Sequence, residues 1–64
     1  MMDKFKFPAV IWYFGRPYSI ARFVEKNGVK YAVYREVTIG VEQCFTENLF
    51  KYHEHYGNIE RSMK

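Results

Sequence analysis

Cysteine occurs once, at Cys44, so no disulfide can form within the chain. A structural zinc site needs about four Cys or His ligands at set spacings, and Cys44, His53 and His55 do not supply them. On a helix, His53 and His55 would point to different sides. The four glycines are scattered, which leaves no phosphate-cradling run. No base is placed to activate Cys44 as a nucleophile, and no oxyanion loop is legible. Nor is there a block of five or six like charges. Ten Lys and Arg stand against seven acids, a mild excess spread along the chain. That balance disfavours a DNA mimic and permits a nucleic-acid binder without requiring one. The apolar run Phe7–Phe14 is far shorter than the roughly 18 residues of a membrane span. It follows Lys4 and Lys6 as in a signal peptide, but Gly15-Arg16-Pro17-Tyr18 stands where a small-residue cleavage site belongs. These absences lead to the expectation of a cytoplasmic, non-enzymatic protein with no metal, no cofactor and no membrane contact.

What is abundant is aromatic surface. Six Tyr, six Phe and one Trp make up 20% of 64 residues, which rules out a disordered chain. Sixty-four residues make one domain. A domain this short buries only about 60% of its unfolded surface and usually needs a staple or a partner. With disulfides and zinc excluded, association with another chain remains.

Two turn signals organise the first half. Asn27-Gly28 is the strongest short hairpin signal, because both residues tolerate positive φ. It sets Lys26 opposite Val29, Glu25 opposite Lys30, Val24 opposite Tyr31, Arg22 opposite Val33, Ile20 opposite Arg35 and Tyr18 opposite Val37. Gly15-Arg16 reads as a type II′ turn followed by Pro17, which sets Phe14 opposite Pro17, Tyr13 opposite Tyr18, Ile11 opposite Ile20 and Ala9 opposite Arg22. The fold predicted is α+β: a three-stranded, or with residues 39–45 four-stranded, antiparallel meander. One C-terminal helix packs on one face. Val41, Phe45, Leu49, Tyr52 and Tyr56 form an apolar stripe at helical spacing. The helix is established by Glu47, Thr38 or Thr46 caps its start, and Gly57-Asn58 ends it. Residues 1–5 and 58–64 are expected to fray.

This register sorts two faces. One holds Phe7, Ala9, Ile11, Tyr13, Tyr18, Ile20, Arg22, Val24, Tyr31, Val33, Arg35 and Val37. The other holds Val10, Trp12, Phe14, Ala21, Phe23, Ala32 and Tyr34. Both are too apolar for an antiparallel sheet with one wet side, and the helix can cover only one. Either curvature closes the sheet into a small barrel, or a partner covers the second face. Arg22 and Arg35 form a diagonal cross-strand pair on the first face. Their heads can reach water, pair with Glu42 or Glu47, or grip a partner's phosphates or carboxylates.

The candidate binding residues are therefore Trp12, Tyr13, Tyr18, Arg22, Tyr31 and Arg35, since rings and arginines dominate interface energetics. The partner expected is a second copy, another protein, or both. The alternative is a single strand of RNA or DNA stacked on the tyrosines, with the arginines at its backbone. In general make-up, as a short aromatic-rich chain with a compact sheet and one helix, the sequence resembles small accessory proteins of bacteriophages and mobile elements. That resemblance rests on no single motif. It implies a module that modulates or inhibits a host protein.

Overall fold

A computed structural model describes residues 5–62 of the chain. Among these residues five strands form one antiparallel sheet: β1 (Val10–Tyr13), β2 (Arg16–Lys26), β3 (Val29–Glu36), β4 (Glu42–Phe45) and β5 (Ile59–Arg61). One helix among them, α1 (Glu47–His55), lies between β4 and β5. The spatial order is β4-β3-β2-β1-β5, so the chain meanders through four strands, crosses one face as α1, and returns to the free edge of β1. The α+β class is as expected. Five strands replace the predicted three or four, and residues 42–45 are indeed a strand.

The Asn27-Gly28 hairpin forms as read, with φ of 52° and 78°. Its register holds from Lys26↔Val29 to Arg22↔Val33. There a β-bulge at Ala21 intervenes, and beyond it Ile20 faces Tyr34, Ser19 faces Arg35 and Tyr18 faces Glu36. The predicted pairs Ile20–Arg35 and Tyr18–Val37 are thus corrected by one residue. One extra residue in a strand exchanges the faces of everything beyond it. Without the bulge, Arg22 and Arg35 would share the side of Ile11, Tyr18 and Ile20. Burying two unpaired guanidinium groups there is far costlier than one interrupted ladder step.

The first turn also moves. It is Phe14-Gly15, at φ 51° and 77°, and not Gly15-Arg16. A loop at Gly15-Arg16 would need the N–H of Pro17 to close it, and proline has none. Shifting the loop back makes Tyr13 and Arg16 the closing pair and sets Ile11 opposite Tyr18 and Trp12 opposite Pro17. Phe14 consequently adopts a left-handed conformation, which costs a non-glycine residue about 1–2 kcal/mol. Its N–H donates to the Asn58 carbonyl at 2.9 Å.

Thr46 caps α1, its Oγ1 accepting the Leu49 N–H at 3.1 Å. At the other end, Gly57 takes φ 79°. The N–H of Asn58 bonds the His53 carbonyl and that of Gly57 bonds the Glu54 carbonyl. This paired closure reverses the chain. The reversal aims Ile59 at Tyr13, and β5 pairs with β1. The C-terminal stretch expected to fray therefore supplies an edge strand, and Ile59 is buried. Phe5, also expected to fray, packs at 4.9 Å from Phe7 and 5.5 Å from Phe50. The fraying expected for 1–4, 63 and 64 concerns positions outside the described residues.

The core lies between the sheet and α1. Ile11, Tyr18, Ala32, Tyr34, Phe45, Phe50 and Ile59 form it, with edge-on ring contacts such as Phe45–Phe50 and Tyr13–Phe45. The Tyr34 hydroxyl donates to the Pro8 carbonyl at 2.6 Å and so ties the N-terminal arm down. Burial raises the Tyr34 phenol well above its usual range, with Arg61 opposing. Arg61 forks onto Glu54 at 2.7 and 3.2 Å, which binds β5 to the helix. The predicted helical stripe is corrected too. Val41 and Phe45 lie before the helix, Leu49, Tyr52 and Tyr56 are exposed, and Phe50 is the inward residue.

Candidate functional site

Helix and N-terminal arm both cover the same side of the sheet. On the other side, no element among the described residues covers the strands. The pairings place its residues in rows. At one end Glu60, Trp12 and Pro17 lie side by side, and the Val37 N–H bonding the Pro17 carbonyl extends that row. The next row is Val10, Ser19, Arg35 and Glu42, followed by Arg22, Val33 and Cys44, then Val24 and Tyr31. Trp12 is 43% exposed, and Val10, Val24 and Val29 are similarly accessible.

Charge on this face is internally arranged. Arg22 makes a two-pronged contact with Glu42, at 3.2 and 3.0 Å. That hydrogen bonding and charge, with a more distant contribution from Arg35, hold the Glu42 carboxyl below the usual range, and the same bond raises Arg22. Val33 is 1% exposed although it faces outward. It sits opposite both Arg22 and Cys44, where arginine stems can shield it. Arg35 extends over Gly40, its guanidinium 3.5 Å from where a β-carbon would stand. Among the described residues neither Arg35 nor Glu60 has an ion-pair partner.

The bulge divides the six predicted binding residues. Trp12, expected on the face opposite Arg22, Tyr31 and Arg35, instead shares the open face with them, because the bulge turns those three to its side. Tyr13 and Tyr18 turn to the covered side. Tyr18 is 5% exposed, and Tyr13 packs on Tyr18, Phe45 and His53. Burial, and then its neighbour Tyr18, raise the Tyr13 phenol. Val10 and Val24 belong to the surface although they are not among the candidate binding residues, and sequence reasoning missed Glu60 altogether. Glu60 escaped notice because one apolar residue, Ile59, is too little alternation to signal a strand.

A second exposed feature is a file of rings on the helix side. Phe14 touches Tyr13 at 4.7 Å, Tyr13 meets His53 at 5.3 Å, His53 meets Tyr52 at 5.3 Å, and Tyr52 meets Tyr56 at 4.9 Å. Phe14 and Tyr56 are 65% and 64% exposed.

A buried carboxylate, Glu36, locks the β3–β4 turn. Its Oε1 accepts the N–H groups of Ile39 and Thr38 at 2.6 and 2.7 Å, and Arg16 approaches Oε2 at 3.4 Å. The Ile39 bond foremost, with Thr38 and Arg16, holds this carboxyl below its usual range against the opposing effect of burial.

Among the described residues no three His, Cys, Asp or Glu side chains gather as a metal site. No helix there is long and apolar enough to cross a membrane. No protein-family model, curated protein or solved structure matches this chain.

Proposed function

We propose that the chain is a non-enzymatic protein-binding module that associates with itself through the open face of its sheet and, so assembled, modulates or inhibits a host protein. The observation that carries this reading is the uncovered pair Trp12 and Val10 in neighbouring rows, with Val24 farther along the same face, on a sheet whose other side is covered twice, by α1 and by Phe5 and Phe7. Trp12 and Val10 adjoin on β1 as an exposed apolar patch; exposed apolar patches mark interaction sites, and tryptophan is among the side chains that anchor them. The ring file from Phe14 to Tyr56 leaves a second surface for the host protein.

The alternative, binding of single-stranded nucleic acid, has less support. Two of the three tyrosines it would stack on face the core, and the Arg22 fork is occupied by Glu42. Light scattering across a dilution series tests the main reading. Trp12 is the only tryptophan, so its emission reports the face directly. A dimer mass with blue-shifted emission that reverts on dilution is expected. A monomer mass up to millimolar protein sinks the reading. Titration with an oligonucleotide at low salt is expected to show no binding; binding that weakens steeply with salt would restore the alternative.

A further inference from the structure

We infer that the self-association is an isologous dimer whose two-fold axis runs along β2, seating Glu60 of each copy on the partner's Arg35 and Trp12 of each on the partner's Val37. This rests on the self-association proposed above and specifies its geometry.

Strand order is the first ground. In β4-β3-β2-β1-β5, two strands flank β2 on each side. Half a turn about β2 therefore exchanges β5 with β4 and β1 with β3. Along the end row, Glu60 and Trp12 lie on one side of Pro17. On the other side lie Val37, whose N–H bonds the Pro17 carbonyl, and Gly40 beneath the Arg35 guanidinium. The rotation lays carboxylate on guanidinium and indole on valine. An axis running across the strands would instead leave Glu60 and Arg35 at opposite edges, both without partners.

The axis itself is compatible with close approach. Pro17, Ser19, Arg22 and Val24 of β2 would each meet their own copies. Only Arg22 opposes this by charge, and its fork to Glu42 draws the guanidinium sideways over β3 and away from the axis. That position gives the Arg22–Glu42 pair a purpose in the dimer: it clears and neutralises the centre. The Cα extents of 34 × 23 × 21 Å cap a broad side at roughly 800 Å², the amount each partner contributes to a standard interface, so the dimer would use the whole face. Sheets stacked face to face lie about 10 Å apart with strands within about 30° of parallel.

A charge exchange in the full-length chain tests this geometry. Arg35→Glu and Glu60→Arg alter exposed side chains, and far-UV circular dichroism checks that both variants fold. Each alone sets two like-charged pairs across the dimer and is expected to raise its Kd at least about tenfold. Mixing the two variants pairs Glu at 35 with Arg at 60 at one contact and the native residues at the other. The mixture is expected to associate at near wild-type strength, read by sedimentation and Trp12 emission. An attraction within one chain cannot be restored by mixing. If wild type dimerises but the mixture stays as weak as its components, or if neither variant weakens alone, this axis is wrong while self-association stands. If wild type never dimerises, both ideas fall together.

Discussion

The two sides of the sheet are made from the same five strands, yet one is covered by a helix and an aromatic arm while the other carries its apolar residues into solvent. The covered side holds Ile11, Tyr18, Ala32, Tyr34 and Phe45 against Phe50. The open side holds Trp12, Val10 and Val24, with its arginines partly stretched along the surface. The open side also carries Arg22, Arg35, Glu42 and Glu60, but charge alone does not explain why Trp12 and Val10 stay uncovered. What decides that is where α1 can go. Thr46 starts the helix directly after β4, and the Gly57 reversal must deliver Ile59 to β1, so nine helical residues cross a single side. A helix that short spans about 13 Å, too little to wrap an edge. The comparison teaches that in a domain this size connectivity acts with hydrophobicity: the bulge puts Arg22 and Arg35 on one side, and the short helix decides that only the other side is covered.

Deleting Ala21 attacks the division itself. Without the bulge residue, Arg22 and every residue beyond it exchange sides relative to β1. Loss of a cooperative unfolding transition by circular dichroism is expected, because an unpaired buried charge alone costs about 3–5 kcal/mol. A variant that melts like wild type would show that the bulge does not sort the faces.

Truncating one large side chain on each side sharpens the contrast. Phe50→Ala is expected to remove about 3–5 kcal/mol, close to the whole stability of a domain this small, and to leave the chain largely unfolded at 25 °C. Trp12→Ala is expected to leave the urea midpoint of the monomer within about 0.5 kcal/mol equivalent, as surface changes usually do, while abolishing association. Equal destabilisation by both would mean that Trp12 belongs to a core.

The smallest effect concerns acid. Both Glu36, on the covered side, and Glu42, on the open side, have carboxyls held below their usual range. A depressed folded-state value contributes stability that is complete above the unfolded value, about 4.3, and is lost as pH falls through the folded one. Urea midpoints should therefore drop below about pH 4.5. Glu36→Gln should flatten that acid limb at any salt concentration. Glu42→Gln should flatten it only at low salt, since exposed pairs are screened. An acid limb unchanged by Glu36→Gln would show that the turn lock carries no pH dependence.

Much of the fold was legible from adjacent residues. Asn27-Gly28 determined its hairpin and the register out to Arg22↔Val33. Gly57 marked the helix end, and Thr46 was one of the two candidate caps for its start. Arg22, Tyr31 and Arg35 share a face as read, whereas Trp12, read onto the opposite face, joins them. The turn at Phe14-Gly15 departs from the predicted one although its cause, the hydrogen that Pro17 lacks, is local. The strand β5 was not local, since it depended on a docking edge that three residues cannot advertise.

Sequence alone determined the Asn27-Gly28 turn, the glycine end of the helix and the surplus of apolar surface, because each arises from conformational limits of one or two neighbouring residues or from simple composition. Only tertiary structure decided the Ala21 bulge, and with it which side Tyr13, Tyr18, Arg22 and Arg35 occupy. A bulge is selected by burial summed over strands far apart in the chain. No short stretch of sequence contains that sum.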